Sequence, residues 1–172
     1  KSKLYFNGIS TVSVKPVRVG NSSIYKLTRV IELPAADVMQ ITSEDKNLSF
    51  FNEALKRTGY LFNLADGSFT LLMPVNDAFK KAGFRDLDSI DKADINTLNL
   101  ILKNQTVSNI YFINDLAREK KIHTLQGKAL LVNVSGCLSL KNEYNEVAAN
   151  ILSNGKLADN VLTYKTGDLI LP

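Results

Sequence analysis

The chain has 172 residues, 45% of them hydrophobic, and a formal net charge of +4. A chain of this length buries about two-thirds of its unfolded surface, so one domain with an extension needs no metal or disulfide to fold. Its basic and acidic residues are interspersed, it has a single cysteine and it contains no apolar run near 20 residues. From this composition we expect no nucleic-acid-binding surface, no intrachain disulfide and no membrane-spanning helix.

The first 36 residues carry strand and turn signals. Residues 11–19 alternate apolar and polar side chains, which predicts a strand with one covered face. Pro16 favours an edge strand or a bulge there, because proline has no N–H to give to a ladder. The pairs Asn7-Gly8 and Gly20-Asn21 predict turns. Residues 35–40 are expected to form a short helical turn that leads into the main domain.

Amphipathic helices are predicted in the next part of the chain. Leu48, Phe51 and Leu55, with Ala54 alongside, recur at helical spacing, and Gly59 follows as a stop. A second helix is expected after an aspartate N-cap, with a further helical turn over residues 111–116. The cap and the apolar stripe of this second helix are Asp94 and Ile95, Leu98, Ile101 and Leu102.

Residues 70–79, Thr-Leu-Leu-Met-Pro-Val-Asn-Asp-Ala-Phe, are the most informative segment of the chain. The run that ends at Met73 predicts a buried strand, and Pro74 stops it. Asn76 is predicted to be the N-cap of a helix that has a negative charge at Asp77, and Gly83 closes that helix. The segment therefore predicts a strand that turns directly into a helix.

Short strands are predicted from Ile122 onward, after an Asp66-Gly67 turn and the helices. Breaks are expected at Gln126-Gly127, Ser135-Gly136, Lys141-Asn142 and Asn154-Gly155. Helices first and strands later indicate an α+β fold.

The strand–proline–helix segment resembles the first signature motif of the fasciclin domain, whose pattern is roughly Thr-hydrophobic-hydrophobic-x-Pro-x-Asn-x-Ala-Phe. The resemblance implies helices packed on a strand-rich β-wedge. It also implies an extracellular adhesion or binding module with no catalytic residues and no cofactor.

A second resemblance concerns the two segments that end in Leu-Pro. Residues 21–34 look like the second fasciclin motif, a strand followed by Leu-Leu-Pro, with Tyr25 at the position of its histidine, and residues 158–172 look like a poorer copy. Residues 37–172 are therefore expected to form one fasciclin-like domain. Residues 1–36 would be the closing strands of a preceding repeat or, alternatively, an N-terminal β extension of the same sheet. Self-association through these strands is a further expectation.

Many fasciclin domains carry a Tyr-His pair between the two motifs that is implicated in adhesion. Asn104 and Gln105 stand at those positions here, while Val107 and Tyr111 fit the surrounding pattern. The departure argues against integrin-type binding. It is not expected to affect the fold, because a glutamine amide can form hydrogen bonds much as a neutral histidine does.

The remaining candidate residues are expected to be structural. His123 is predicted to be a polar strand residue without a catalytic partner, and Cys137 a small buried side chain in a strand or hairpin arm. One histidine and one cysteine fall short of a zinc site. An acidic cluster lacks the pattern of a calcium loop, so helix capping and a solvated loop are expected instead. The acidic cluster consists of Asp86, Asp88, Asp91 and Asp94. The Asn-x-Ser/Thr sequons of the chain begin at Asn21, Asn47, Asn104 and Asn133.

The expected function is that of a non-catalytic adhesion or binding module at a cell surface or matrix, with a protein or glycan partner. The chain starts without methionine, and we interpret it as a mature or excised piece of an exported tandem-repeat protein, such as a bacterial lipoprotein anchored upstream. The alternative is a carbohydrate-binding component of a bacterial surface glycan-handling system, which would need an aromatic platform. A hydrolase, with two carboxylates facing across a cleft, comes third.

Overall fold

The computed structural model describes residues 4–6, 9–31, 37–64, 67–142 and 148–171. The chain divides into two units, Lys1–Leu33 and Pro34–Pro172. We call them the N-terminal unit and the main unit. Both the α+β class and the N-terminal strands agree with the expectation from the sequence.

The N-terminal unit contains four short strands in two antiparallel pairs. They are β1 (Tyr5–Phe6), β2 (Ile9–Ser10), β3 (Val17–Val19) and β4 (Ser22–Ile24). The predicted turn at Gly20-Asn21 joins β3 to β4, and Gly20 has the positive φ of 57° that this tight turn requires. The predicted turn at Asn7-Gly8 lies outside the described residues.

The prediction of one strand over residues 11–19 is wrong. Thr11 forms only an isolated bridge, residues 12–16 are irregular, and the strand begins at Val17. Pro16 has no N–H for a ladder, which accounts for the late start. Val12, Val14 and Val19 are also exposed, so the predicted covered face is absent from this segment.

The main unit begins with most of its helices. They are α1 (Val38–Glu44), a 3-10 helix (Lys46–Leu48), α2 (Ser49–Thr58), a 3-10 helix (Tyr60–Asn63), α3 (Asn76–Lys81), α4 (Leu87–Asp91), α5 (Ile95–Asn104) and α6 (Ile113–Leu116). The helix predicted over residues 35–40 begins later, since α1 starts at Val38. Residues 35 and 36 lie outside the described residues, and so does Asp66 of the predicted Asp66-Gly67 turn.

The two predicted amphipathic helices are confirmed with one correction. Helix α2 buries Phe51, Ala54 and Leu55 and ends at Gly59, whose φ of +59° closes it. Helix α5 begins at its predicted cap, since the Asp94 side chain accepts a hydrogen bond from the Thr97 amide at 2.9 Å. The correction is Ile95, which is 46% exposed because the first turn of α5 projects past the core.

Two four-stranded sheets complete the main unit. The first has the order β11-β12-β5-β6 and the second β10-β9-β8-β7. Isolated bridges Val107↔Thr124 and Ile151↔Thr166 join β6 to β7 and β10 to β12. The strands are β5 (Phe69–Pro74), β6 (Thr106–Ser108), β7 (Lys121–His123), β8 (Ala129–Asn133), β9 (Ser139–Asn142), β10 (Ala148–Asn150), β11 (Lys156–Ala158) and β12 (Val161–Thr166).

The predicted strand breaks are mostly confirmed. Turns or irregular residues occur at Gln126-Gly127, Ser135-Gly136 and Asn154-Gly155. The break predicted at Lys141-Asn142 is wrong, because β9 continues through Asn142. Both of those residues pair with β8, which holds the strand together beyond the local turn signal.

Strand β5 is the centre of the fold and is buried on both faces. It pairs in parallel with β12 and antiparallel with β6. Phe69, Leu71 and Met73 belong to the core under the helices, whereas Leu72 belongs to the second core, between the two sheets. A strand with apolar layers on both sides needs a continuous apolar run, which explains the sequence of this segment.

Candidate functional site: the junction between β5 and α3

The predicted change from strand to helix occurs where the sequence places it. Strand β5 ends at Pro74, Val75 is the extended N-cap with φ −69° and ψ 162°, and α3 begins at Asn76. Met73 and Phe79 therefore lie in separate elements. Pro74 and the short link force the chain to leave the sheet at this point.

The predicted role of Asn76 as the N-cap of its own helix is wrong. Its Oδ1 accepts a hydrogen bond from the Phe50 amide of α2 at 3.0 Å. Its Nδ2 donates to the carbonyl oxygen of Lys46 at 2.9 Å and to Oγ of Ser49 at 3.0 Å. The N-cap residue of α2, Leu48, has no side-chain acceptor. Asn76 thus caps α2 through tertiary contact and ties the junction to the helical layer.

The end of α3 is fixed by the predicted glycine. Gly83 has φ of +101° and donates its amide to the Lys80 carbonyl at 3.0 Å, while the Phe84 amide bonds to the Phe79 carbonyl at 3.0 Å. The Phe79 and Phe84 rings pack edge to face with centroids 5.9 Å apart. These bonds and this apolar contact form a Schellman motif, which stops this six-residue helix.

Thr70, the only polar residue in the first part of β5, joins the strand to the loop after β6. Its hydroxyl donates to the Asn109 carbonyl at 2.8 Å and accepts from the Tyr111 amide at 2.9 Å. Asn109 has the unusual φ of 71°, and the threonine satisfies its carbonyl and the amide of Tyr111. A buried polar residue inside an apolar run was the sequence signal for this contact.

Asn104 and Gln105, at the positions of the adhesion-associated pair, are both fully buried. Nε2 of Gln105 donates to the Ile170 carbonyl at 2.9 Å, and its Oε1 accepts from the Ile170 amide at 3.4 Å. The glutamine therefore fastens the C-terminal segment, as expected for an amide in place of a neutral histidine. Neither polar atom of the Asn104 side chain has a hydrogen-bond partner in the described part of the chain. Neither residue can contact a partner in this conformation.

Polar contacts that no local sequence pattern predicts hold the closing strand β12 in place. Lys165 forms an ion pair with Asp45, at the end of α1, and the hydrogen bond from Lys165 lowers the pKa of the Asp45 carboxyl. The hydroxyl of Tyr164 donates to the Tyr111 carbonyl at 3.0 Å, and burial raises the pKa of Tyr164 far above its ordinary value. Burial likewise raises the pKa of Tyr60, whose hydroxyl donates to Thr106.

The surface beside the junction is a polar depression of about 320 Å³. Its lining residues are Asn47, Val75, Asn76, Asp77 and Lys80. Lys80 and Asp77 pair with each other at 3.2 Å and are both exposed, so they add little stability.

The most exposed large hydrophobic side chain described is Phe62, with 94% of its surface accessible.

The other predicted residues lie apart from this junction. His123 ends β7 as an exposed strand residue, as predicted. Asp86 and Asp94 cap helices, as predicted, whereas Asp88 and Asp91 lie within α4, where Asp88 pairs with Lys92 at 2.5 Å. Within the described ranges no group of three or more metal-ligating side chains could hold an ion.

The prediction that Cys137 is buried in a strand arm is wrong. Cys137 is exposed in the loop between β8 and β9, and the strand begins only at Ser139. Gly136, with φ of +86°, turns the chain outward before the thiol can enter the core.

The strand-to-helix junction and the wedge of two sheets are the features that decide the family. A family model for the fasciclin domain matches residues 46–172. The chain belongs to the fasciclin domain family. The match includes every element from the first 3-10 helix to β12, and α1 (Val38–Glu44) lies just before it.

Named relatives of this fasciclin domain are much longer than the chain. Human periostin is 30% identical over 129 residues, which are 74% of this chain and 14% of periostin. The pig transforming growth factor-beta-induced protein ig-h3 is 26% identical over 175 residues, 98% of this chain and 25% of that protein. The chain thus spans a quarter or less of each.

A solved structure with the same fold is the FAS1 domain pair from the insect cell adhesion molecule fasciclin I. It superposes with a TM-score of 0.66 at 15% identity and covers 95% of this chain and 60% of that one. At this identity the likeness shows the fold alone.

Proposed function

We propose that the chain is a non-catalytic adhesion and binding module of an exported, extracellular or cell-surface protein. The observation that carries this proposal is that the side chains at the motif positions and at the position of the Tyr-His pair bind the protein's own backbone. Thr70, Asn76 and Gln105 all bond to the backbone of their own fold. The motif residues build the module, so binding falls to its exposed surface.

We further propose that residues 37–172 are one fasciclin domain and that residues 1–36 close a preceding repeat. Two observations support this division. The family model starts at residue 46, whereas the match to the ig-h3 protein extends over 98% of the chain and that to the fasciclin I domain pair over 95%. In a tandem protein, weak contacts of successive modules raise the effective concentration of the next contact.

The solved structure that shares this fold comes from a cell adhesion molecule, and we extend that role to this chain as part of the proposal. In the part of the chain that the structure describes, no helix has both the length and the apolar character needed to cross a membrane. The bacterial source and an upstream lipid anchor stay predictions from the sequence.

Phe62, on the exposed surface of the main unit, is the residue that we propose contacts a protein partner. An aromatic ring with 94% exposure gains apolar burial when a partner covers it. Leu152 is also apolar and 56% exposed, and it lies in the link between β10 and β11, so Leu152→Ser is a matched control for Phe62→Ser.

The test is attachment of cells and matrix proteins to the immobilised chain, run beside a glycan array. We expect saturable protein binding that Phe62→Ser weakens at least tenfold and Leu152→Ser leaves within twofold. Protein binding that both variants leave unchanged contradicts the role of Phe62. Saturable sugar binding without a protein ligand would support the carbohydrate-binding alternative and overturn the proposal.

The tyrosines weigh against that alternative. Tyr60 and Tyr164 are core residues with 3% and 1% exposure, and Tyr25 and Tyr111 are half-buried. These four rings are therefore not available as an open stacking platform for sugars.

A further inference from the structure

The N-terminal unit repeats the arrangement of the last four strands of the main unit. Strands β1 and β2 form an antiparallel pair, as β9 and β10 do, and β3 and β4 form a hairpin, as β11 and β12 do. Both hairpins have a two-residue turn, Gly20-Asn21 in one and Asp159-Asn160 in the other.

The backbone connections that join the two strand pairs also recur. The Thr11 amide bonds to the Leu4 carbonyl at 2.9 Å, and the Ile151 amide bonds to the Leu138 carbonyl at 2.9 Å. An isolated bridge lies beside this bond in each copy. The next amide along the chain bonds at 2.8 Å to a carbonyl that lies just after β4 in the first unit and within β12 in the second. These connections are Thr11↔Leu27 and Val12 to Lys26 in the N-terminal unit, and Ile151↔Thr166 and Leu152 to Lys165 in the main unit.

Identical residues occupy matching positions of the two hairpins. With the hairpin registers aligned, three identities fall at one spacing, since 160 − 21, 164 − 25 and 165 − 26 all equal 139. They are Asn21 with Asn160, Tyr25 with Tyr164 and Lys26 with Lys165. Strand pairing, connections and sequence therefore agree on one correspondence.

The two copies differ in what surrounds them. Strand β12 lies between β11 and β5, and β9 lies between β10 and β8. Within the described residues β4 pairs only with β3, and β1 only with β2. Phe6 is 39% exposed where its counterpart Leu140 is fully buried. The N-terminal unit thus has the closing strands of a fasciclin domain with open strand edges and an uncovered apolar position.

The open edge of β4 has a defined pattern. In a two-residue hairpin the pair next to the turn is hydrogen-bonded and the following pair is not, so the Ser23 amide points away from β3. The same rule applies to Leu162, the counterpart of Ser23, whose outward edge is occupied by β5 opposite Thr70.

We propose that the N-terminal unit docks onto the body of a second fasciclin domain, with one strand of that body parallel to β4 and another antiparallel to β1. These two strands are the equivalents of β5 and β8. This inference rests on the proposed division into repeats and identifies what the first unit binds. The occupant is defined by chemistry: a β5-like apolar strand that ends in proline, followed by a helix.

The correspondence predicts where the partner strand lies in a longer protein. Thr70 precedes Asn160 by 90 residues, since 160 − 70 = 90. The same spacing from Asn21 places a Thr-hydrophobic-hydrophobic-x-Pro-x-Asn segment about 70 residues before Lys1, in the size range of one domain. Sequencing of the encoding gene reads this segment directly, and an upstream region without it overturns the proposal.

The physical test is amide hydrogen exchange measured by NMR on this chain and on the natural protein extended upstream by about 130 residues, one domain length. In the chain alone we expect the Ser23 amide to exchange freely and the Leu162 amide to be protected. In the extended protein the Ser23 amide should slow by about 100-fold or more, as a ladder amide does. Free exchange of Ser23 in both proteins overturns the proposal.

Proline variants separate docking from simple folding of the hairpin. Ser23→Pro removes only the outward amide, so it should lower the melting temperature of the extended protein and leave that of the chain alone unchanged. Ser22→Pro removes an amide that bonds to β3 and is the control that affects both. Equal effects of Ser23→Pro on the two proteins contradict docking.

Self-association is the other occupant to exclude. If Ser23 protection in the chain alone rises with protein concentration together with a dimer mass by light scattering, the partner is a second copy and the proposal is wrong. Phe62, the residue proposed for cell attachment, lies in the 3-10 helix Tyr60–Asn63 of the main unit and not at this edge, so the adhesion proposal and the docking proposal have separate readouts.

Discussion

The Asn76 side chain caps α2 from the junction between β5 and α3, and its removal tests how much this contact stabilises the fold. Asn76→Ala removes the acceptor for the Phe50 amide and the donor to Lys46 and Ser49. A helix cap contributes about 1 kcal/mol and each further neutral hydrogen bond about 1 kcal/mol. We therefore expect the free energy of unfolding to fall by about 3 kcal/mol, which lowers the melting temperature by roughly 10 °C for a domain of this size.

Chemical denaturation with urea, followed by circular dichroism, measures this change. The matched control is Asn96→Ala. Asn96 is exposed in the first turn of α5 and its side chain forms no hydrogen bond with the described residues, so the change should stay within about 0.5 kcal/mol. Asn76→Asp keeps the acceptor but loses both donors, and we expect an intermediate loss of about 1 to 2 kcal/mol. The reasoning is refuted if Asn76→Ala and Asn96→Ala destabilise the protein equally.

Two further predictions concern the closing strand. The hydrogen bond from Lys165 lowers the pKa of Asp45 below its ordinary 3.8, so the ion pair stabilises the fold above that pH and its contribution is lost as the pH falls through the lowered pKa. Asp45→Asn should therefore flatten the decline of the urea midpoint between pH 5 and pH 2. Parallel curves for the two proteins would contradict this prediction. Gly155→Ala should cost about 1 to 3 kcal/mol, because the new Cβ would lie 2.9 Å from the buried Tyr164 ring. Gly167→Ala, whose Cβ would lie 3.7 Å from the nearest side chain, is its near-neutral control in thermal melts, and equal melting temperatures would count against the steric argument.

Local information in the sequence determined a large part of this structure. The strand of residues 70–74 and the helix after it, the stop at Gly59 and the cap at Asp94 depend on residues within a few positions of one another, and the structure confirms them. These are preferences of backbone and capping groups that a short segment expresses by itself. The family resemblance rested on the same local pattern.

Tertiary structure decided which residues that are distant in the chain contact each other. Asn76 is a reasonable cap for its own helix by sequence, but the Phe50 amide, 26 residues earlier, binds its oxygen instead. Cys137 is outside the core because of the loop around it. The pairing of β12 with β5 spans about 90 residues, and no local preference selects such a partner. Buried polar groups must be satisfied by whatever the fold brings near them, and that choice is made only when the chain is packed.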